Sequence, residues 1–266
     1  MTTDEVTPIV AVQDLAIRFP KPHSTKIFKK EYHNVLENIT FSVTGGECLG
    51  ILGESGSGKS TLGKAICGLL PPYKGSVYLG GTKLYGKEPI WPGYSAVAFQ
   101  DYTTSVNSRF TVREIIKESL VVLQRRLKQT LDFEKEIKEL LACVGVPAEC
   151  IDRYPHQLSG GQLQRVCIAR AVAVRPQIIL FDEAISSLDA HTQVQIMDLL
   201  IELKASHNFT YIFITHDLPS VTYICDKVLF LYKGRVAEIV PVQQLSEVKS
   251  TYAKQLLHSI LDVRCE

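Results

Sequence analysis

Gly53-Glu54-Ser55-Gly56-Ser57-Gly58-Lys59-Ser60-Thr61 is the stretch that decides the fold. It follows Glu47-Cys48-Leu49-Gly50-Ile51-Leu52, which reads as a buried strand after a turn at Thr44-Gly45-Gly46. It opens a segment expected to be helical from near Gly58 to about Leu69, stopped by Pro71-Pro72. Strand, G-x-x-x-x-G-K-[ST] and helix, in that order, make a phosphate-binding loop. Glycines let the backbone aim successive N–H groups inward, and those amides together with the helix N-terminus hold a triphosphate. In such a loop Lys59 brings positive charge to the outer phosphates and Ser60 offers an oxygen to Mg²⁺.

Outward from the loop, strands and helices alternate. Ile9 to Phe19 alternates apolar and polar residues, strand character returns at Val35 to Val43, and Gly75 to Leu84 reads as a hairpin around Gly80-Gly81. Val97-Ala98-Phe99 reads as a short strand. Gln177 to Phe181 and Tyr211 to Thr215 are continuous apolar runs of the kind buried on both faces of a parallel sheet. Helices are expected at Gly160 to Val174 and from His191 to about Ala205, and this alternation marks an α/β fold. Two amphipathic helices interrupt it, one around Val112 to Leu127 and one around Ile137 to Val144 with Gly145 as its cap. The stretch from about Thr111 to Tyr154 therefore reads as an inserted helical subdomain.

Composition excludes several classes. The 266 residues suffice for one large domain or two small ones, and 45% apolar content excludes a disordered tail. Basic and acidic groups, 29 and 28, leave a net charge of +1, which gives no global field for a nucleic-acid backbone or an anionic membrane. No apolar run approaches the ~18–20 residues that span a bilayer. Met1-Thr2-Thr3-Asp4-Glu5 lacks the start of a signal peptide, so the protein is expected in the cytosol. Seven cysteines without a C-x-x-C pair indicate neither a disulfide framework nor a zinc knuckle, and they read mostly as small buried hydrophobes.

Three further features carry chemistry. Asp182-Glu183 stands at the C-terminal end of the second buried strand, where ligands of open α/β sheets bind. An Asp there reaches Mg²⁺, directly or through water, and the Glu orients and deprotonates an attacking water; alone, the pair would read as a helix N-cap. His216, at the end of the third buried strand, is placed to contact a γ-phosphate, with a structural core histidine as the alternative. Leu158-Ser159-Gly160-Gly161-Gln162 offers a hydroxyl and glycine amides at a helix start, a second anion site. One nucleotide does not need two cradles in one subunit, so the second is expected to serve a nucleotide held by a different subunit.

These residues resemble the nucleotide-binding subunits of ATP-binding-cassette (ABC) transporters over almost the whole chain. Gly53 to Thr61 resembles the Walker A loop, Ile178 to Glu183 resembles Walker B with its catalytic glutamate, and Leu158 to Gln162 is the family's signature without a substitution. Gln100 matches the Q-loop glutamine, Ser186-Ser187-Leu188-Asp189 the D-loop and His216 the switch histidine. Phe19 is the candidate for the aromatic that stacks on adenine, and Tyr32 stays open as a second. Phe99-Gln100-Asp101, Thr111-Val112-Arg113-Glu114-Ile115-Ile116 and Tyr154-Pro155-His156-Gln157-Leu158 resemble the branch serving nickel, dipeptide and oligopeptide importers. The wording of Asp182 to Asp189 is similar to that of nickel-import ATPases. Many peptide-importer ATPases carry a longer tail after a His-Pro-Tyr-Thr motif. Here Ser250-Thr251-Tyr252-Ala253 stands in that place, and no iron–sulfur cluster is expected.

The resemblance implies an α/β P-loop NTPase: a RecA-like core with a mostly parallel sheet, an N-terminal antiparallel β subdomain and an inserted helical subdomain. A single cassette would span residues 1–266, with core at 8–100 and 165–245, helical subdomain at about 101–164 and a short C-terminal helix at 246–266. It implies the ATPase subunit of an importer of nickel or small peptides, peripheral on the cytoplasmic face of the membrane. Its partners would be two permease subunits, a second ATPase subunit (itself or a sister) and, indirectly, an extracytoplasmic solute-binding protein, with no nucleic acid. ATP would lie between Gly53, Glu54, Ser55, Gly56, Ser57, Gly58, Lys59, Ser60 and Thr61 of one subunit and Ser159, Gly160, Gly161, Gln162 and Asp189 of the other. Ser60, Gln100 and Asp182 would hold Mg²⁺, and Glu183, His216 and Gln100 would act in hydrolysis. Asp101 to Phe110 is expected to line a groove for a short permease helix, the alternative being a loop packed on its own domain. A soluble ABC-type ATPase acting on DNA or ribosomes is the rival function, disfavoured by a single cassette without a coiled-coil insertion.

Overall fold

The computed structural model describes residues 7–21, 31–99 and 104–262. In chain order the elements are β1 (Val10–Pro20), β2 (Tyr32–Val43), β3 (Cys48–Leu52), α1 (Lys59–Ile66), β4 (Lys74–Leu79), β5 (Thr82–Lys83), β6 (Ser95–Phe99), α2 (Val112–Leu127), α3 (Phe133–Cys143), α4 (Gly160–Ala173), β7 (Ile178–Asp182), α5 (Ala190–His207), β8 (Thr210–Thr215), α6 (Leu218–Ile224), β9 (Lys227–Tyr232), β10 (Arg235–Pro241) and α7 (Thr251–Asp262). They fall into two compact units divided within β8: residues 1–90 with 212–266, and residues 91–211.

In the first unit a four-stranded antiparallel sheet runs β2-β1-β4-β5. Its register pairs Val10 with Val43, Leu15 with Ile39 and Ile17 with Leu36, and all six side chains are buried. A one-residue slip would turn that set towards solvent, so burial of one face fixes the register. Asp14, at φ +47, sits in an irregularity between Val12 and Leu15 that brings Leu15 back to the buried face. The unit also holds β3, which pairs parallel with β9, and β10, which pairs antiparallel with β9. All five residues of β3 are buried, as its unbroken apolar run requires. The β9–β10 reversal takes two residues, Lys233 and Gly234, both at positive φ (46° and 75°), the geometry that matches strand twist in a tight hairpin.

Two sequence expectations are corrected here. α1 ends at Ile66, before Leu69 and well before the prolines. Gly68 at φ +75 closes it, with the Gly68 amide donating to the Ala65 carbonyl and the Leu69 amide to that of Lys64. Strands β9 and β10 and helix α6 add to the elements read from sequence, although Val228-Leu229-Phe230-Leu231 is as apolar as the strands that were read.

In the second unit β6 pairs parallel with the fully buried β7. The expected helical stretch is present. α2 buries Val112, Ile115, Ile116, Leu120 and Leu123, and α3 buries Ile137 and Leu141. α2 starts at a capping box in which the Thr111 amide donates to the Glu114 carboxylate (2.7 Å) and the Glu114 amide to the Thr111 hydroxyl (3.3 Å). α3 ends as expected, with Gly145 at φ +67. Within the stretch expected to line a permease groove, residues 101–103 lie outside the described residues. Of the rest, Val106 is buried and the Ser105 carbonyl accepts from Arg170 of α4 at 2.6 Å. Ser105 and Val106 are thus packed on their own unit, whereas Thr104 and 107–109 are exposed and Phe110 is half-buried. Cys48, Cys150, Cys167 and Cys225 are buried, whereas Cys143 is exposed.

Candidate functional site

The loop between β3 and α1 is shaped by contacts that only glycine permits. A Cβ at Gly53 would overlap the Leu231 carbonyl of β9 and lie 2.9 Å from Ser57 Oγ. Gly56 and Gly58 take φ of +78° and +105°, where side chains are strained. Gly58 is the N-cap of α1, and no side chain caps that helix. The cap residue itself thus brings no side chain to compete with an anion at the start of α1. Lys59 is 6% exposed, and its ammonium donates to the carbonyls of Gly53 (2.8 Å) and Glu54 (2.9 Å), so the loop is folded around its own lysine. Ser57 Oγ is buried with no hydrogen-bond partner among the described residues. A desolvated hydroxyl without a partner costs free energy, which a phosphate oxygen accepting its proton would restore. These observations fit a bound nucleoside triphosphate. Two distant segments pin the loop: the Gly234 amide donates to the Ser57 carbonyl (3.0 Å), and the Glu54 amide donates to Tyr252 Oη (3.1 Å).

The candidate aromatics lie on different faces of the antiparallel sheet. Phe19 pairs with His33 and Tyr32 with Pro20, so strand alternation separates the two rings. A Cβ at Gly58 would lie 2.7 Å from Leu36 Cδ2, and Leu36 pairs with Ile17, two residues before Phe19. A further irregularity separates Ile17 from Arg18 in this pairing, and Phe19 beyond it is 39% exposed. The Arg18 guanidinium lies 4.1 Å from the Tyr32 ring centre and 3.3 Å from that of Tyr73, so a face of Tyr32 is already taken.

In the second unit Asp182 ends β7 and is buried, and Glu183 follows at φ +49. The Glu183 carbonyl accepts from the Ser186 amide (3.1 Å) and hydroxyl (2.9 Å), and this turn fixes a strained, half-buried residue just past the strand end. The pair does not cap a helix. The next helix, α5, is capped by Asp189, which accepts from the Thr192 amide (3.0 Å) and hydroxyl (2.7 Å). The Thr192 hydroxyl, then its amide, hold the Asp189 carboxyl below its ordinary pKa.

Ser159 caps α4. Its hydroxyl accepts from the Gln162 amide (3.2 Å), and its own amide donates to Gln162 Oε1 (3.0 Å). The first and last polar letters of the signature thus start the helix, leaving Gly160 and Gly161 at positions whose amides have no intrahelical acceptor. A Cβ at Gly161 would lie 3.0 Å from Thr192 Cγ2, so glycine lets α4 approach α5. As a result Ser159, Gly160, Gly161, Gln162 and Asp189 line one cavity of about 410 Å³. Arg165 and Thr192 line it too, and the sequence reading had not included them; their helical spacing from Gly161 and Asp189 was the available signal. His216 follows β8 and is exposed, against the alternative of a core histidine. Gln100 lies outside the described residues.

The sequence profile of the ABC transporter family matches residues 36–186, more than half of the chain. The chain belongs to the ABC transporter family. This cassette is 38% identical over 253 residues to the metal-staphylopine import system ATP-binding protein CntF of Staphylococcus aureus (strain NCTC 8325 / PS 47), covering 95% of this chain and 99% of that protein. It is 39% identical over 231 residues to the oligopeptide transport ATP-binding protein OppF of Bacillus subtilis (strain 168), covering 85% of this chain and 75% of that one. Among solved structures the cassette is similar to dimeric MJ0796 in a post-hydrolysis state bound to ADP and Pi (TM-score 0.73, 26% identity, 88% of this chain and 98% of that one). It is similar also to cbiO1 from Clostridium perfringens, part of the transporter complex cbiONQ (TM-score 0.74, 26% identity, 94% and 95%). The expected P-loop NTPase fold is the fold of this cassette, and as a member of the family it is an ATP-binding, ATP-hydrolysing subunit. Among the described residues no helix is long and apolar enough to cross a membrane.

Proposed function

We propose that this ABC cassette powers an importer from the cytoplasmic face of the membrane, hydrolysing ATP to drive uptake of a small peptide or a chelated metal such as nickel. The observation that carries the ATP site is the phosphate loop, folded around a buried Lys59 with an uncapped helix behind it and the Ser57 hydroxyl waiting for an acceptor. Gly53 to Thr61 would hold the phosphates, Lys59 their outer charge, and Phe19 the adenine face. Ser60, Asp182 and Gln100 would hold Mg²⁺, which would supply positive charge to offset that of the phosphates. Glu183 takes a proton from the attacking water, and His216 steadies charge on the γ-phosphate.

The cavity of Ser159 to Gln162 and Asp189 would close over the nucleotide of a second ATPase subunit, either a copy or a sister. Residues 1–266 act as one cassette, with about 101–164 as its helical subdomain. Two permeases and an extracytoplasmic binding protein would complete the importer, a reading supported by the import and transport systems of the named relatives. The names of those relatives speak of import and transport, which supports this reading over a soluble ATPase acting on DNA or ribosomes. Replacing Glu183→Gln tests the assignment. ATP binding is expected to persist, hydrolysis to fall ~10²–10⁴-fold and an ATP-bound dimer to accumulate. Steady-state hydrolysis close to that of the parent would sink it.

A further inference from the structure

The phosphate loop has a support that lies far away in sequence. The Glu54 peptide is held from both sides. Its carbonyl accepts from Lys59 Nζ (2.9 Å) and the Ser57 amide (3.2 Å), and its amide donates to the hydroxyl of Tyr252 at 3.1 Å. Tyr252 is in the first turn of α7 and is 8% exposed. Its ring stacks on Tyr232, with centres 4.2 Å apart. Tyr232 ends β9, directly after Leu231, whose carbonyl faces Gly53. One strand end therefore backs both the first glycine of the loop and the tyrosine that grips its next peptide. The start of α7 is fixed in turn: the amides of Lys249 (3.0 Å) and Ser250 (2.8 Å) donate to the Glu238 carboxylate, and the Ala253 amide donates to the Ser250 hydroxyl (3.1 Å). Burial pushes the Tyr252 phenol above its ordinary pKa, so it stays a neutral hydroxyl at working pH.

We propose that Tyr252 is a positioning residue of the ATP site: by accepting the Glu54 amide it keeps the Glu54 carbonyl on Lys59 and holds that lysine ready for phosphate. The C-terminal helix thereby tunes ATP affinity without touching the nucleotide. This rests on Gly53 to Thr61 being the nucleotide loop.

Tyr252→Phe keeps the ring and its stacking but removes the acceptor. ATP affinity, measured by displacement of a fluorescent ATP analogue, and KM for hydrolysis are expected to worsen roughly three- to tenfold, the worth of one neutral hydrogen bond. kcat at saturating ATP should change less than about twofold, and the thermal midpoint without nucleotide should fall by only about 2–4 °C, a split that a merely structural residue would not give. Parent-like ATP affinity in a well-folded Tyr252→Phe protein overturns the proposal. Should the variant not fold, amide exchange in the unaltered protein decides: the Glu54 amide is expected to be protected, and exchange at the rate of an open loop overturns the proposal. Lys59→Ala, run alongside, separates the two readings. If it keeps ATP binding, the loop assignment fails; if it loses binding while Tyr252→Phe does not, only the role of Tyr252 fails.

Discussion

Glycine stands at the start of both α1 (its cap, Gly58) and α4 (its first residue, Gly160), yet the two starts are capped in opposite ways. α1 follows its cap Gly58 with no side chain capping it, and the loop before it is held from outside by Leu231, Gly234 and Tyr252. α4 starts behind Ser159 and Gln162, which satisfy each other's amides, and Ser159 is exposed. The first arrangement leaves donors for a ligand and depends on the rest of its unit to stay open. The second satisfies its two flanking amides with its own side chains, leaves those of Gly160 and Gly161 for a ligand, and can be presented on a surface. A helix start that binds its own nucleotide is thus built unlike one offered to a partner's nucleotide.

The largest effect should come from separating the two. Lys59→Ala is expected to weaken ATP binding by roughly 100-fold or more, whereas Ser159→Arg should keep binding and lose hydrolysis. If the cassette pairs with itself, mixing the two proteins yields dimers with one intact composite site, and ATPase activity should partly return. No recovery in demonstrated mixed dimers would place both glycine starts in one subunit's site and break the contrast.

Alanine at each glycine start sharpens it further. Gly58→Ala forces a side chain to φ +105 against Leu36 and should cost about 1–3 kcal/mol in urea unfolding. Gly161→Ala presses on Thr192 Cγ2, a movable methyl, and gains helix propensity of ~1 kcal/mol, so its net effect should be smaller than about 1 kcal/mol. Equal losses would show that both starts carry backbone strain.

The smallest effect is in acid. Asp189 caps α5 and Glu114 closes the capping box of α2, and their carboxyls lie below the ordinary range, held there by donors on Thr192 and Thr111. A carboxylate whose folded pKa is depressed stabilises fully above its unfolded value, and this contribution is lost as pH falls through the folded value. Helix melting temperature by circular dichroism should therefore decline below roughly pH 4. Asp189→Asn, which caps without titrating, should reduce that decline; an unchanged decline would free the cap of any role in it.

Local chemistry was legible in the sequence, and distant support was not. The phosphate loop, the end of β7 and the start of α4 each depend on residues within a few positions, so spacing alone revealed them. Gly145 was legible as a cap for the same reason, whereas the Gly68 stop was overlooked in favour of the prolines behind it. β9 was missed although its apolar run matched that of β7. The separation of Phe19 from Tyr32 needed the pairing register, and the meeting of the signature with Asp189 needed the approach of α4 to α5 at Gly161. The grip of Tyr252 on Glu54 spans 198 positions, beyond any periodicity.

That last separation has a consequence for the growing chain on the ribosome. At ~5–20 residues per second, the loop emerges roughly 10–40 s before the tyrosine that secures it. Through that interval Gly53 to Thr61 lacks its hydroxyl partner at Tyr252 and, for nearly as long, the Gly234 amide on Ser57. The loop of the newborn cassette gains its full support only once the start of α7 has been made, so its affinity for ATP is expected to rise in steps as β9, Gly234 and then Tyr252 become available.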